Sequence, residues 1–232
     1  MLEFGLIGLS LLMTIIIIVG YRSALYKTIA DKTIRNRRMG ILIGFFIFWG
    51  IYLYILSSQQ ILFELSLPPR VPLLIFVPLI VVTTIFYFRN RNDEVLHNIP
   101  KTYPIYYQSF RIMVETLLLY TFYAGILTQK ATFEGWNFDV IMGISAPFVA
   151  YFIYPKLDKY HSLAKAWNIL GIFMVLFVAF IVATSFYLPS FWNSDTPTMS
   201  TQFVELPYLL VAGFLAPSAI FIHVVALMQL KK

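Results

Sequence analysis

The hydrophobic residues of the chain fall into seven long runs, which short polar segments separate. An α-helix needs about 20 apolar residues to cross the roughly 30 Å hydrocarbon core of a bilayer, and each run comes close to that length. The pattern therefore predicts an all-α membrane protein, a seven-transmembrane helix bundle that forms a single domain over residues 1–232. The predicted helices cover residues 4–21, 39–57, 71–88, 103–127, 138–154, 166–188 and 206–230.

The overall composition agrees with a protein that crosses a membrane several times. Hydrophobic residues make up 59% and charged residues 12% of the chain, and the mean hydropathy is +0.78. The chain has no cysteine, and its three histidines, His97, His161 and His223, lie in separate segments without a spacing that suits a metal ion. We therefore predict neither a metal site nor a bound cofactor.

The basic residues predict the orientation of the bundle. Of the 17 lysines and arginines, 14 lie in the first, third and fifth connecting segments or in the C-terminal tail; Arg70 and Lys130 lie on the opposite side, and Arg111 lies inside a run. Because cytoplasmic loops carry the excess of Lys and Arg, we predict an external N-terminus and a cytoplasmic C-terminus in the plasma membrane. This distribution also accounts for the net charge of +6, so we expect membrane lipids rather than nucleic acid as partners.

The fourth run, residues 103–127, is the only one with a pair of opposite charges in its interior. On a helix with about 100° per residue, Gln108, Arg111 and Glu115 fall within roughly 60° of one another, so they form one polar face. A charge in the middle of a membrane costs about 2.5–3.5 kcal/mol, and residues of this kind usually face the interior of a bundle. The polar face is therefore the first candidate for a functional site.

Depth along the helices adds further residues to this candidate site. A rise of about 1.5 Å per residue places Arg111 and Glu115 in the inner half of the membrane, and it places His223 of the seventh run at a similar depth. Tyr107 and Gln108 are then expected near the mouth of a cavity that opens towards the cytoplasm. The predicted ligand-binding residues are Tyr107, Gln108, Arg111, Glu115 and His223.

Three functions are compatible with this arrangement. In the first, Arg111 holds a small anionic or amphipathic ligand for transport or sensing, and Glu115 neutralises Arg111 when the site is empty. In the second, the protein is an intramembrane enzyme that acts on a lipid or isoprenoid, with Glu115 as acid or base and His223 as a second catalytic candidate. In the third, it is a scaffold or assembly subunit whose Arg111–Glu115 salt bridge only fixes helix packing.

The chain also resembles a group of small bacterial integral membrane proteins of unknown function, which share R-I-x-V-E and T-F-x-G-x-N-F-D strings. The likeness rests on R-I-M-V-E at residues 111–115, T-F-E-G-W-N-F-D at residues 132–139 and G-I-S-A-P at residues 143–147. It implies a bacterial inner membrane protein and no particular activity. It also raises Glu134, Asn137 and Asp139 as an outer-side cluster, although N-capping by Asn137 and a favourable helix dipole at Asp139 are sufficient to explain those two residues.

Prolines recur at a nearly constant interval in three runs. Pro78, Pro147 and Pro217 are separated by 69 and 70 residues. Interrupted helices at corresponding positions of an internal repeat are typical of transporter binding sites. Ordinary helical hairpins repeat at about the same period, so a transporter-like repeat and coincidence are alternative interpretations of the spacing.

Overall fold

The computed structural model describes residues 1–231, which form helices and turns without a β-strand, as the all-α prediction requires. The α-helices in this range are α1 (Leu2–Thr28), α2 (Lys32–Ser58), α3 (Val77–Asn90), α4 (Glu94–His97), α5 (Tyr103–Tyr107), α6 (Arg111–Tyr123), α7 (Asp139–Phe148), α8 (Leu157–Tyr187) and α9 (Ala216–Gln229). Three π-helical turns extend α3, α7 and α9, at Pro72–Phe76, Val149–Ile153 and Val211–Leu215 respectively.

Five helical segments among the described residues are long and apolar enough to cross a membrane, and they indicate a multi-pass membrane protein. These segments are Leu2–Thr28, Lys32–Ser58, Pro72–Asn90, Asp139–Tyr187 and Val211–Gln229. Val211–Gln229 is the most buried of them, at 56% of its apolar window against at most 33% for the others. This segment contains α9, which therefore lies at the centre of the bundle, in contact with α3, α4, α5 and α8.

The segment Asp139–Tyr187 folds back on itself. Tyr160 has non-helical backbone angles (φ −112°, ψ 21°) a few residues after Pro155. Trp167 Nε1 donates a hydrogen bond to Ser145 Oγ at 3.0 Å, whereas a straight helix would separate residues 22 positions apart by about 33 Å. Helices α7 and α8 are therefore the two arms of an antiparallel hairpin.

A glycine ends α6 before the apolar run is complete. Gly125 has a φ of +74°, in the left-handed region that favours glycine. Its N–H donates to the carbonyl of Phe122 at 2.8 Å, and the N–H of Ile126 donates to the carbonyl of Thr121 at 3.1 Å. These two bonds make a Schellman motif, which satisfies carbonyls at the end of a helix. The fourth predicted helix is consequently shorter than residues 103–127.

The segment between α6 and α7, residues 124–138, packs into the bundle. We predicted helices over residues 103–127 and 138–154 with an outer loop between them, yet Ala131 and Thr132 have no exposed surface and Asn137 is also buried. The carbonyl of Ile126 accepts a hydrogen bond from the N–H of Ser200 at 3.0 Å, which fixes this segment against the linker before α9. As a result, the start of α7 lies beside the first turns of α6.

Aromatic side chains of α2 satisfy carbonyls that prolines leave free. A proline has no N–H for the carbonyl four residues before it, and an unpaired carbonyl is costly in an apolar bundle. For Pro217 this carbonyl belongs to Gly213, and it accepts a hydrogen bond from Trp49 Nε1 at 2.7 Å. The equivalent carbonyl before the proline of α3 is that of Leu74, which accepts from the Tyr52 hydroxyl at 2.9 Å. Helix α2 is thereby tied to both interrupted segments.

Replacing Trp49 with phenylalanine is expected to lower the free energy of unfolding by about 1–3 kcal/mol, because the Gly213 carbonyl loses its donor. The second substitution Pro217→Ala supplies a backbone N–H at residue 217, and the double variant should recover part of this loss. Thermal unfolding of the purified variants in one detergent checks both statements. A Trp49→Phe protein as stable as the wild type would contradict the role given to this bond.

Candidate functional site

Arg111 is the first residue of α6, and its guanidinium joins three helices. Its Nη1 atom lies 3.1 Å from Oδ1 of Asp139 at the start of α7, and Nη2 donates to the carbonyl of Gly171 in α8 at 3.0 Å. The residue is only 1% exposed. A buried charge is stable only with a partner charge and hydrogen bonds; Asp139 provides the opposite charge and the Gly171 carbonyl provides one hydrogen bond.

Two glycines allow close helix contacts around Arg111, one between α7 and α6 and the other between α8 and α9. A Cβ atom on Gly143 of α7 would lie 2.9 Å from the backbone N of Ile112 and 3.2 Å from Cβ of Arg111. A Cβ atom on Gly171 would overlap the imidazole of His223. Small residues at such positions allow close packing between helices in a membrane. The site therefore depends on positions without a side chain as well as on its polar groups.

Asn137 connects Glu115 to the beginning of α7. Its Nδ2 atom donates to Oε2 of Glu115 at 2.7 Å and to the carbonyl of Ala131 at 3.0 Å, and its Oδ1 atom accepts from the N–H of Asp139 at 2.9 Å. The last bond satisfies one of the free N–H groups at the helix start, but Phe138 occupies the N-cap position that we predicted for Asn137. The same side chain therefore supports α7 and holds the carboxylate of Glu115.

The ion pair of the site differs from the predicted one. We expected Arg111 to pair with Glu115, but Asp139 takes that place, and within residues 1–231 no cationic group lies within 4.0 Å of the Glu115 carboxylate. An arginine four residues before a glutamate is the less favourable order on a helix, which agrees with their separation. The site thus holds one guanidinium and two carboxylates, with Glu115 bonded only to a neutral amide.

The predicted outer-side cluster is divided. Asn137 and Asp139 join Arg111 and Glu115, although we expected the two groups at different depths of the membrane. They meet because residues 124–138 pack inside the bundle. Glu134 instead is exposed and accepts a hydrogen bond from the Tyr123 hydroxyl at 3.0 Å, outside the site.

His223 is completely buried, and its imidazole lies against Gly171 of α8. Its Nδ1 atom is 2.9 Å from Oδ1 of Asn168, whose Nδ2 atom donates to the Tyr154 hydroxyl and to the carbonyl of Ala164. The Ala164 carbonyl can only accept, so its bond fixes the orientation of the amide; the Asn168 oxygen then accepts and Nδ1 of His223 carries the hydrogen. His223 therefore belongs to a hydrogen-bonded contact between α8 and α9.

Tyr107 and Gln108 also bind α9 instead of lining a cavity mouth. The Tyr107 hydroxyl donates to Oγ of Ser218 at 3.0 Å, and Nε2 of Gln108 donates to the carbonyl of Ala219 at 3.1 Å. Both side chains are buried. Among the predicted ligand-binding residues, Arg111 and Glu115 alone therefore line the cavity next to α6.

This cavity has a volume of about 270 Å³ and lies among α3, α6, α8 and α9. Arg111, Glu115 and Asp139 are the charged residues in its lining, and the remaining walls are almost entirely hydrocarbon. Its aromatic lining residues are Phe76, Phe110, Phe180, Phe186, Tyr187 and Phe203. The cavity can therefore accommodate an apolar group with a polar group at one end.

A larger cavity of about 510 Å³ lies on the opposite side of α9, between α1, α2 and α3. Arg38 is the charged residue in its lining, and it pairs with Asp93 at 2.7 Å. The side chain of Arg38 is 37% exposed, so solvent screens its charge. This cavity lacks the buried charges that distinguish the one next to α6.

The sequence indicated the importance of Arg111 and Glu115, but it did not indicate that Asp139 would be the partner of Arg111. The aromatic lining from α8 was also missed, because a phenylalanine-rich run in a membrane helix is ordinarily read as lipid-facing.

Within residues 1–231, no group of three or more His, Cys, Asp or Glu side chains could hold a metal ion. No known family model, curated protein or solved structure matches the chain.

Proposed function

We propose that the chain crosses a bacterial inner membrane seven times, with its N-terminus outside and its C-terminus in the cytoplasm. Seven crossings follow if α7 and α8 cross separately and if α5, the turn at Gln108–Phe110 and α6 together make one crossing of about 31 Å. The distribution of Lys and Arg supports the orientation. In this orientation, the connecting segments and the tail on the cytoplasmic side carry 14 of the 17 basic residues.

The absence of natural cysteines makes this topology straightforward to test. In intact cells, a membrane-impermeant maleimide should label Asp195→Cys, between α8 and α9, but not Asn92→Cys, between α3 and α4, until the membrane is permeabilised. Both positions are exposed in the folded chain. Labelling of Asn92→Cys in intact cells, or protection of Asp195→Cys, would contradict the orientation.

We further propose that the protein binds a small amphipathic ligand in the cavity next to α6, for transport or sensing. The observation that carries this proposal is the combination of a hydrocarbon and aromatic wall with three buried charged residues, Arg111, Glu115 and Asp139, at the same cavity. Functional pockets commonly combine apolar walls with a few well-placed polar groups. An apolar chain would lie along the walls, and its polar head would lie next to Glu115.

The geometry favours an amphipathic ligand over a simple anion. Asp139 already neutralises Arg111, so an anion would have to displace that carboxylate and would approach Glu115 as well. Like charges in a low-dielectric environment repel strongly. A ligand that places hydrocarbon against the aromatic walls gains from burial without breaking the ion pair.

Interrupted helices at the cavity support a role that requires movement. The π-helical turns Pro72–Phe76 and Val211–Leu215 both contribute lining residues. Turns of this kind are frequent at functional sites, and interrupted helices surround the binding sites of many transporters. Transport or sensing of the ligand agrees with these features.

Two alternatives have narrower support. Glu115 lines the cavity and could reach a lipid or isoprenoid as acid or base, but His223, the other catalytic candidate, does not line it. The ion pair of Arg111 with Asp139 joins α6 to α7, as a scaffold or assembly subunit would need. The aromatic cavity has no place in a purely structural role, and for this reason we favour ligand binding.

A binding measurement in lipid nanodiscs tests the proposal. Radiolabelled dodecyltrimethylammonium and dodecanoate serve as probes, with empty nanodiscs as the correction for partition into lipid. We expect saturable binding of at least one probe, and a loss of at least about tenfold in Ala183→Phe, which fills the cavity. Ala166→Phe is the matched control, because Ala166 lies in the same helix with an exposed side chain. If neither probe binds saturably, or if both variants bind equally well, the cavity is not the binding site.

A further inference from the structure

Within residues 1–231, the carboxylate of Glu115 has no cationic group within 4.0 Å. Its residue is 1% exposed, and the hydrogen bond to Glu115 comes from the neutral amide of Asn137. The guanidinium of Arg111 is already paired with Asp139 and bonded to the Gly171 carbonyl. A buried carboxylate without a partner is very unfavourable in an apolar bundle, so Glu115 requires either a proton or a positively charged ligand.

The cavity beside Glu115 suits an organic cation. Six aromatic side chains contribute to its lining, among them Phe110, which directly precedes α6, and Phe180 of α8. The faces of aromatic rings attract ammonium groups, most strongly where water is excluded, and aromatic cages bind quaternary ammonium ligands for this reason. One unpaired carboxylate and an aromatic wall together match the two parts of an amphipathic cation.

We propose that the ligand of this site is an amphipathic organic cation, and that its binding displaces a proton from Glu115. This inference rests on the proposed function and specifies the class of its ligand. In the empty site, the carboxyl group of Glu115 carries one proton. When the ammonium group arrives, the O–H bond breaks, the proton leaves to water and the carboxylate pairs with the ammonium. One proton is released for each cation bound, so the total charge of the site does not change.

The other titratable groups around the cavity do not substitute for Glu115. Arg111 of α6 and Asp139 of α7 compensate each other in their ion pair. Tyr187 of α8 uses its hydroxyl as the acceptor for the N–H of Val71. His223 of α9 does not line the cavity, and the α9 and α3 residues that do line it are apolar. Glu115 is therefore the residue that releases the proton when the cation binds.

Binding and proton release can be measured together in nanodiscs, with dodecyltrimethylammonium as probe, dodecanoate as anionic counterpart and a pH indicator in weak buffer. We expect the cation to bind in preference to the anion, with about one proton released per cation bound. Its affinity should rise by up to about tenfold per pH unit while Glu115 is protonated. Glu115→Gln should bind the cation at least about tenfold more weakly and release no proton. The exposed Glu94 of α4 provides the control Glu94→Gln, which should behave as the wild type.

The outcomes separate this inference from the proposed function. Preferential binding of dodecanoate, or proton release that persists in Glu115→Gln, would overturn the inference and leave an amphiphile site in place. Saturable binding of neither probe would overturn both. If Glu115→Gln does not fold, the wild-type protein still tests the inference. Its infrared spectrum should contain a band of a protonated carboxyl group, and this band should disappear when the cation is added. A cation affinity that is independent of pH, or a band that does not change, would overturn the inference.

Discussion

Replacing Arg111 with leucine is expected to lower the free energy of unfolding by about 3–5 kcal/mol, the loss typical of removing one partner from a buried ion pair. The carboxylate of Asp139 would stay buried without its counter-charge, and the hydrogen bond to the Gly171 carbonyl would be lost. Arg111 also joins α6, α7 and α8, so the effect should reach the whole bundle. Denaturant unfolding of the purified protein in a fixed detergent measures the change.

A double variant distinguishes the loss of charge balance from the loss of a side chain. Arg111→Leu combined with Asp139→Leu removes both charges, and apolar replacement of a buried ion pair is often close to neutral. We expect the double variant to recover most of the stability that Arg111→Leu loses. If the double variant is as unstable as the single one, the pair is not the reason for the effect. If Arg111→Leu alone is as stable as the wild type, the ion pair between Arg111 and Asp139 does not stabilise the protein.

Gly171→Ala is expected to lower both the stability of the protein and the binding of the probe. Its methyl group would occupy the space of the His223 imidazole, so α8 and α9 would have to move apart. Overpacking of a close contact typically costs about 1–3 kcal/mol. The shift would also move the Gly171 carbonyl away from Arg111. We therefore expect lower thermal stability together with weaker binding of the alkylammonium probe.

The matched control for this substitution is Gly50→Ala in α2. Gly50 has no neighbouring atom within 4 Å of the position that a Cβ would occupy. The same change there should preserve binding and raise helix stability by about 0.5–1 kcal/mol, because alanine has the better helix propensity. Similar losses at both glycines would point to a general effect of the methyl group and not to the contact with His223.

The hydrophobic pattern predicted the all-helical class and the apolar helices, because the length needed to cross a bilayer is a strong constraint on sequence. Burial of Arg111 and Glu115 was also predicted, since charges inside an apolar run must avoid lipid. The sequence did not predict the partner of Arg111. Asp139 fits a helix start so well that its sequence position is explained without any contact to α6. Only the folding of residues 124–138 into the bundle brings it to Arg111.

The observed contacts of Tyr107, Gln108 and His223 differ from their predicted roles for a second reason. Depth along a helix can be estimated from the rise per residue, but the direction in which a side chain points depends on the rotation of that helix in the bundle. We predicted His223 at a depth similar to that of Arg111, and it lies next to Gly171, whose carbonyl binds Arg111, yet its ring is bonded to Asn168. Tyr107 and Gln108 likewise face α9. These orientations follow from packing, which a single sequence does not specify.

The cavity beside Glu115 is expected to hold the head group of an amphipathic ligand. The most direct measurement is a density map at side-chain resolution of the protein in nanodiscs with a bromine-labelled dodecyltrimethylammonium probe. We expect the ammonium group next to the Glu115 carboxylate, with the chain along Phe110 and Phe180. Density for the probe in the cavity next to Arg38, or an empty cavity next to α6 at saturating probe, would contradict the claim.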